Sequence, residues 1–313
     1  MGHTLTDVDS FGAAIGICRA ANALGKKANV VINEVSASLR PLYNMYINSP
    51  SYPDNLFLTS EQALNLADEN SMVVVVDTNR PKMVECEELL YLAKTIVVLD
   101  HHRQSSDSID NALLSYIEPY ASSACEMVSE ILQYIVDDIQ IPNLEASSLY
   151  AGIMIDTNNF MNKTGVRTFE AAAFLRRSGA DITLVRKMFR DDMESYRAKA
   201  QIISSAEVYH NKYAIARGEN LTIESPTIIG AQAANELLDI NEVKASFVLT
   251  TYNGRIYVSA RSIDEVNVQL VMEKLGGGGH MSIAGAQLTN CTIQQAVNTI
   301  KLTLDNMLAE GEI

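Results

Sequence analysis

The 313-residue sequence has no long apolar run and no excess of positive charge. No stretch approaches the roughly 18 to 20 apolar residues that a helix needs to cross a bilayer, so we expect no membrane contact by this chain. Lysine and arginine number 24 against 38 aspartate and glutamate residues, and the formal net charge is −14. Proteins that grip long nucleic acid usually present a basic stripe, because neutralising phosphates drives that binding. We therefore expect a small anionic substrate, drawn to bound cations, rather than a long nucleic acid.

Cysteine is also scarce. The four cysteines, Cys18, Cys86, Cys125 and Cys291, form no CxxC pair. This scatter favours reduced thiols over a zinc site or disulfides, and it predicts a cytoplasmic location. With 47% hydrophobic and 20% charged residues, the composition is that of a globular protein long enough for two domains.

Two apolar runs, Met72–Val76 and Thr95–Leu99, each end in an aspartate, Asp77 and Asp100. Continuous β-branched runs are typical of strands buried on both faces of a parallel sheet. The stretch 81–92 between them predicts a crossover helix. Because ligands of open α/β sheets bind at the carboxyl ends of the strands, we expect an active edge there.

The pattern changes in the second half of the chain. Ser246–Tyr252 and Arg255–Arg261 flank the Asn253-Gly254 pair, a strong signal for a type I′ hairpin. The sequence therefore predicts an α/β parallel-sheet domain over residues 1–184. A smaller α+β domain with its helical connector is predicted over residues 185–313, with an active-site cleft between the two domains.

Titratable side chains at strand ends and loops form an oxygen and nitrogen ligand set without thiolates. These candidate metal ligands are His3, Asp7, Asp9, Asp77, His101 and Asp156. The set favours Mn²⁺, or Mg²⁺, Co²⁺ or Fe²⁺, over a structural zinc. Six ligands exceed the need of one ion and suit two ions about 3.5–4 Å apart. Asp77 is the predicted bridging ligand, because it is central and follows a buried strand.

Asp100 and His102 are the candidate catalytic residues. We expect Asp100 to orient an imidazole and His102 to reach a substrate phosphate as hydrogen-bond donor or general acid. A buried structural role for His102 stays open. Asp7 and Asp9 converge if their segment is an irregular loop, with Asp9 or Ser10 as the N-cap of the helix that follows. The alternative for this pair is a solvated acidic turn.

A run of four glycines ends in a histidine: Gly276, Gly277, Gly278, Gly279 and His280. Such a run offers close backbone approach to a phosphate or nucleotide. A flexible linker is the alternative, although ordered elements are predicted on both sides.

These residues resemble the motifs of the DHH phosphoesterase superfamily. The resemblance is carried by His3-x3-Asp7-x-Asp9, Val76-Asp77, Asp100-His101-His102 and Asp156, and by Gly276–His280 with Ala284-Gly285 for the DHH-associated domain. Within it, Val76–Pro81, Leu99–Arg103, 162–172 and Ser259–Ser262 are similar to the GdpP-type cyclic-di-AMP phosphodiesterases. That resemblance implies two Mn²⁺ ions and hydrolysis of cyclic di-AMP to linear pApA. His3, Asp7 and Asp77 would hold one ion; Asp9, Asp77, His101 and Asp156 would hold the other.

The same resemblance implies that Arg261, Ser262 and the glycine run with His280 bind the substrate, a cyclic or short linear dinucleotide. GdpP-type proteins carry membrane helices and further domains upstream. His3 lies very near the start, so we expect a catalytic fragment of a membrane-anchored protein whose catalytic part faces the cytoplasm. A homodimer is a further expectation. The family form after the first histidine is Arg-Phe-Pro, whereas this chain has Thr4-Leu5-Thr6.

Two other functional classes stay open. An oligoribonuclease of the same superfamily would use the same ligands to degrade pApA and other very short RNAs to mononucleotides. A nucleotide sensor with an inactive site would bind cyclic di-AMP without metal-dependent hydrolysis. A RecJ-like exonuclease fits the acidity poorly, and pyrophosphatases with DHH motifs lack the glycine run. A structural module would leave the buried carboxylates unexplained.

Overall fold

The computed structural model describes residues 1–104, 106–190, 192–219, 221–223, 225–263 and 265–313. The chain forms two compact units, Met1–Arg190 and Asp191–Ile313. Within the described ranges, no helix combines the length and apolar character that crossing a bilayer requires.

The first unit contains eight α-helices and five strands within its described residues. They are α1 (Val8–Ala23), β1 (Val30–Val31), α2 (Arg40–Ile47), β2 (Phe57–Leu58), α3 (Ser60–Leu66), β3 (Met72–Val76), α4 (Leu89–Leu92), β4 (Thr95–Asp100), β5 (Leu114–Ile117), α5 (Ala124–Ile135), α6 (Asn143–Asp156), α7 (Val166–Arg177) and α8 (Ile182–Met188).

The central sheet of this unit has the order β3-β4-β5, and both pairs of neighbours are parallel. Val76 pairs with Leu99, so the two strands end side by side. Val75 and Val76 are both 0% exposed. Val75 packs into one core of the unit and Val76 into the other, because neighbouring residues of a strand face opposite sides of the sheet. The predicted parallel α/β arrangement is confirmed.

The crossover between β3 and β4 is not the single helix that we expected over 81–92. It begins with a 3₁₀ turn, Pro81–Met83, and ends with the short α4. Between them the backbone pairs with the start of the chain. The Thr4 amide donates to the Met83 carbonyl at 2.7 Å, and the Glu85 amide donates to the Gly2 carbonyl at 3.0 Å. These bonds keep the connection extended and prevent a continuous helix.

Helices α1 and α6 lie unusually close together because each has a glycine at the contact. A Cβ on Gly12 of α1 would lie 2.7 Å from the Ser148 carbonyl oxygen. A Cβ on Gly152 of α6 would lie 3.0 Å from Cα of Asp9. The close approach fixes the position of the first turn of α1, which carries Asp9.

The second unit is built on a six-stranded sheet. Its described elements are α9 (Met193–Ser204), β6 (Glu207–Tyr209), β7 (Tyr213–Gly218), α10 (Pro226–Leu237), β8 (Ala245–Tyr252), β9 (Arg255–Ser262), α11 (Val268–Lys274), β10 (Gly278–Gly279), β11 (Ile283–Leu288) and α12 (Ile293–Glu310). The strand order is β10-β11-β9-β8-β7-β6, and only the β7–β8 pair is parallel. Residues of α11 and α12 share one core with the sheet, and residues of α9 and α10 share the other.

The predicted hairpin is confirmed as β8 and β9. Asn253 and Gly254 have φ values of 50° and 72°, as both central residues of a type I′ turn require. The predicted α+β character of the second half is therefore confirmed.

The division between the units falls later than the predicted boundary between residues 184 and 185. That boundary lies inside α8, and the buried side chain of Val185 packs into a core of the first unit. A helix whose apolar face joins this core belongs with it, and the first unit accordingly continues to Arg190.

Candidate metal centre

His3 is positioned by a backbone pairing that the sequence did not indicate. The Val76 amide at the end of β3 donates to the Met1 carbonyl at 3.0 Å. His3 itself forms an isolated antiparallel bridge with Val84. The first residues therefore lie between β3 and the extended crossover, and they bring the His3 imidazole to the carboxyl end of β3.

Asp7 and Asp9 lie at the N-terminus of α1 and not in an irregular loop. Asp7, rather than Asp9 or Ser10, is the N-cap, because its backbone is extended and its Oδ1 accepts from the Ser10 amide at 2.9 Å. Asp9 is 0% exposed in the first turn. A solvated acidic turn is therefore wrong for Asp9.

Both carboxylate oxygens of Asp9 accept backbone amides at the N-terminus of α5. Oδ2 accepts from Ala124 at 2.7 Å and Oδ1 accepts from Cys125 at 2.9 Å. The first amides of a helix have no partner inside the helix and carry its positive dipole end, so they are well suited to hold an anion. Asp9 thus has a fixed orientation before any cation binds.

Asp77 lies between two groups of potential ligands. Its Oδ2 is 3.3 Å from His3 Nε2, and its Oδ1 is 3.2 Å from His101 Nε2. We call His3, Asp7 and Asp77 the His3 cluster; His3 Nε2 lies 3.7 Å from Asp7 Oδ2.

Asp9, His101 and Asp156 form the second group, which we call the His101 cluster. His101 Nε2 is 3.5 Å from Asp156 Oδ2 and 3.9 Å from Asp9 Oδ2. Within each cluster, one potential ligand atom per residue lies within 4.8 Å of the others. The structure therefore brings all six predicted ligand residues together from the start of the chain, from α1 and α6, and from the ends of β3 and β4.

The imidazoles of both clusters are surrounded by negative charge. Burial acts to lower the pKa of His3, but its contacts with Asp7 and Asp77 outweigh burial and raise the pKa to about 10. Burial likewise acts to lower the pKa of His101. Its contacts with Asp77 and Asp9 outweigh burial and raise the pKa of His101 to about 9. Without a metal, the clusters therefore hold protons on their imidazoles.

The carboxylates respond to burial and to one another. Burial, reinforced by the charge of Asp77, raises the pKa of Asp9 to about 7. Burial and then the charge of Asp9 raise the pKa of Asp156 to about 9. Burial acts to raise the pKa of Asp77 as well, but its contacts with His101 and His3 hold that pKa below its usual value. This crowding of buried acids is costly without positive charge in the pocket.

The residues fit a divalent cation. Asp77 Oδ1 is buried and has no hydrogen-bond partner among the described residues, although buried carboxylate oxygens normally have one. Carboxylate oxygens and imidazole nitrogens are the donors that Mn²⁺ and similar cations take. A buried carboxylate oxygen without a hydrogen-bond partner, 3.2 Å from the Nε2 atom of the candidate ligand His101, fits a cation ligand.

Asp100 orients His102 and not His101. Asp100 is fully buried; its Oδ1 accepts from the His102 amide at 3.1 Å and lies 2.8 Å from His102 Nδ1. Its Oδ2 accepts from Asn79 Nδ2 at 2.6 Å. The side chain of His102 is 55% exposed, so a buried structural role for this residue is wrong. The sequence alone did not lead us to predict Asn79 as a site residue. Its position two residues after Asp77 was the available signal.

In the second unit, the predicted substrate residues lie around the β10–β11 turn. Ile283 pairs with Arg261, and the Ser262 amide donates to the Ser282 carbonyl at 3.0 Å. The Arg261 Nε is buried without a hydrogen-bond partner in the described part of the chain, and burial lowers the pKa of this side chain. His280 is exposed in the turn itself.

The glycine run is ordered and not a flexible linker. Gly278 and Gly279 form β10 and pair with Gly285 and Ala284 of β11. A Cβ on Gly277 would lie 2.1 Å from the Gly285 carbonyl oxygen. Glycine is therefore required at position 277, where the chain approaches β11 just before β10 begins.

Comparison with known protein families finds one matching domain family in each unit. Residues 1–153 match the DHH family, N-terminal domain, and residues 221–310 match the DHHA1 domain. The chain carries a DHH domain followed by a DHHA1 domain. Five of the six ligand candidates lie within the matched part of the DHH domain, and Asp156 lies just beyond it. Arg261, Ser262, the glycine run and His280 lie within the matched DHHA1 domain.

Two curated relatives and one solved structure are similar to this chain. The chain is 41% identical over 308 residues to the cyclic-di-AMP phosphodiesterase PdeA of Listeria monocytogenes, covering 97% of this chain and 47% of that protein. It is 28% identical over 299 residues to the bifunctional oligoribonuclease and PAP phosphatase NrnA of Mycoplasma genitalium, covering 92% and 87%. The crystal structure of an exopolyphosphatase-related protein from Bacteroides fragilis has a TM-score of 0.78 at 20% identity, covering 98% and 91%.

These comparisons differ in what they support. The solved structure supports the fold alone. The DHH–DHHA1 chain is more similar to the phosphodiesterase than to the oligoribonuclease, and it spans about half the length of the curated cyclic-di-AMP phosphodiesterases that it matches.

Proposed function

We propose that the chain is a metal-dependent phosphodiesterase that hydrolyses cyclic di-AMP to linear pApA. The observation that carries the proposal is the position of Asp77, whose two carboxylate oxygens face two different histidines at 3.3 and 3.2 Å. A carboxylate with this placement suits a bridge between two cations. The similarity to cyclic-di-AMP phosphodiesterases supports the choice of substrate.

In this proposal the pocket holds two Mn²⁺ ions, with Mg²⁺, Co²⁺ or Fe²⁺ as substitutes. His3, Asp7 and Asp77 would hold one ion, and Asp9, Asp77, His101 and Asp156 would hold the other. When bound, such a pair makes water nucleophilic at neutral pH and stabilises negative charge on the phosphate oxygens. The protein supplies the fixed carboxylates; the α5 amides orient Asp9, and β3 and β4 place Asp77 and His101.

His102 is the proposed proton donor. With Nδ1 against Asp100, its Nε2 is the ring nitrogen free to meet a phosphate or leaving oxygen. Water attacks phosphorus and gives up a proton to solvent, the P–O3′ bond breaks, and the O3′ leaving oxygen takes a proton from His102. The product then has one 5′-phosphate and one free 3′-hydroxyl, as pApA requires. Asn79 holds Asp100, and so fixes the orientation of the imidazole.

We also propose that the DHHA1 domain contributes substrate contacts. Arg261 is a cation whose buried Nε lacks an acceptor among the described residues, and a phosphate oxygen would supply one. Ser262, the glycine run and His280 border the same turn. The four free cysteines, three of them buried, support a reducing cytoplasmic location. A homodimer stays a prediction.

The test is incubation of the purified chain with cyclic di-AMP in Mn²⁺ and in excess chelator, with products separated by anion-exchange chromatography. We expect pApA in Mn²⁺ alone. Asn79→Leu is the matched variant, since it leaves all six ligand candidates in place and removes the bond to Asp100; we expect slower turnover with unchanged Mn²⁺ binding. Absence of pApA under any metal condition would contradict the proposal and would favour a nucleotide sensor.

An oligoribonuclease is the second candidate. It is favoured by the similarity to NrnA, because the match covers 87% of that protein's length. Turnover of cyclic di-AMP and of linear pApA by the same preparation distinguishes the two. Faster conversion of pApA to AMP than of cyclic di-AMP to pApA would reverse the order.

A further inference from the structure

Glu126 is a buried carboxylate of α5 that belongs to neither cluster. It is 1% exposed. Its Oε2 accepts from the Ser122 hydroxyl at 2.6 Å, from the Ser122 amide at 3.3 Å and from the Thr168 hydroxyl at 2.6 Å. A single oxygen thus joins the turn before α5 to the first turn of α7.

The bonds of Glu126 fix the N-terminal turn of α5. The Glu126 amide donates to the hydroxyl of the N-cap, Ser123, at 3.0 Å. On the α7 side, the Thr168 hydroxyl accepts from the Gly165 amide at 3.0 Å. The turn is therefore held from both directions, by its own cap and by a neighbouring helix.

The same turn presents its free amides to Asp9. Ala124 and Cys125, which lie between Ser123 and Glu126 in the chain, donate to the two oxygens of Asp9. Any rotation of this turn moves both donors at once. The orientation of the Asp9 carboxylate therefore depends on whatever holds the turn.

Packing alone does not explain a carboxylate at this position. Within the described residues, the cation in contact with Glu126 is Arg167, whose Nε lies 3.9 Å from Oε1. A buried charge is costly, and an apolar side chain of similar volume would fill the space without that cost. What the carboxylate adds is a set of directed hydrogen bonds.

We propose that Glu126 is a positioning residue for the metal site: it fixes the first turn of α5 so that the Ala124 and Cys125 amides hold Asp9 toward His101. The inference rests on the proposed function, because it assigns Asp9 to a bound cation. Hydrogen-bond partners that orient a metal ligand typically change metal affinity by about 10- to 100-fold when removed.

The test compares Glu126→Gln with Glu130→Gln. Glu130 lies one turn further along α5 and binds Arg167 of α7 through two contacts of 2.7 Å, without touching the first turn. Mn²⁺ binding to metal-stripped protein is measured by isothermal titration calorimetry, together with the melting temperature. We expect two ions in the wild type, roughly 10- to 100-fold weaker binding of one of them in Glu126→Gln, and wild-type binding of both in Glu130→Gln.

The outcomes separate the two proposals. A wild type that binds no Mn²⁺ overturns the proposed function and this inference with it. A Glu126→Gln variant with a lowered melting temperature and wild-type Mn²⁺ affinity overturns only the positioning role. If Glu126→Gln does not fold, Thr168→Val and Thr168→Ser are compared instead, because valine removes the hydroxyl that binds Glu126 and serine keeps it. Weaker Mn²⁺ binding in Thr168→Val, together with wild-type binding in Thr168→Ser, supports the inference. Equal Mn²⁺ binding in the two variants refutes it.

Discussion

The two clusters that meet at Asp77 are built in different ways. In the His3 cluster, the imidazole comes from an extended segment, and Asp7 is a helix cap whose side chain is 47% exposed. In the His101 cluster, Asp9 is fully buried and held by two amides, and His101 follows a central strand. The first group depends on an irregular segment at the start of the chain, and the second depends on packed helices and strands. The difference indicates that one half of the site is more rigid than the other before metal binds.

Removing Asp77, the proposed bridging ligand, should have the largest effect, because both proposed ion sites would lose a ligand. Asp77→Ala is expected to lower kcat/KM for cyclic di-AMP by roughly 10³-fold or more, since loss of a single electrostatic contact already costs about 10²- to 10³-fold in enzymes. Asp77→Asn keeps one oxygen and should lose less. Calorimetry that finds two normally bound Mn²⁺ ions in Asp77→Ala would show that Asp77 is not shared.

The contrast between the halves is tested directly by Asp9→Asn and Asp7→Asn. At position 9 the side-chain NH2 group of asparagine would face a backbone N–H, so two buried donors would be left without an acceptor. We expect this to destabilise the metal-free protein by about 1–3 kcal/mol. At position 7 asparagine caps a helix as well as aspartate does, so only the partly exposed contact with His3 is lost, and we expect a smaller loss of stability of no more than about 1 kcal/mol. Urea denaturation of both metal-free variants measures this. Equal losses of stability would remove the proposed difference in rigidity.

Gly152→Ala should disturb the rigid half without changing a ligand. The new methyl group would lie 2.4 Å from Cys125 Sγ and 2.9 Å from Asp9 Oδ1. We expect a net destabilisation of about 1 kcal/mol or more, because overpacking exceeds the gain in helix propensity. Weaker binding of one Mn²⁺ should accompany it. Gly165→Ala, whose Cβ would meet no atom within 4 Å, is the control and should leave Mn²⁺ binding unchanged.

His280→Ala should have the smallest effect, since His280 belongs to neither half. Loss of one hydrogen bond to a charged phosphate predicts an increase in KM of about tenfold. Mn²⁺ binding should stay at the wild-type level, as measured by the same calorimetry. A change in Mn²⁺ affinity would contradict the assignment of His280 to substrate binding alone.

The strands that carry Asp77 and His101 were predictable because continuous β-branched runs of five or so residues are typical of buried parallel strands. The β8–β9 hairpin was predictable for a similar reason, since Asn253-Gly254 suits one turn type. The pairing of residues 1–4 with 83–85 was not. It joins segments some 80 residues apart without any periodic pattern, and it replaced the expected crossover helix with an extended connection.

Within the site, residue types were predictable but their partners were not. Asp100 was expected to orient an imidazole, and only the folded structure identifies it as that of His102. Ser123 and Glu126 have the spacing of a capping box, which marks a helix start in the sequence. In the structure the Glu126 side chain turns instead to Ser122 and Thr168, because α7 packs beside it. Such choices depend on tertiary neighbours.

The backbone at Asp77 has a φ of 60°, a left-handed conformation that residues with a Cβ rarely adopt. Side chains branched at Cβ are excluded there by steric conflict, whereas glycine and asparagine accept it. Saturation mutagenesis scored for soluble expression, and not for catalysis, should therefore recover glycine and asparagine at this codon and lose valine and isoleucine. The shape of the main chain would then restrict this position independently of the reaction.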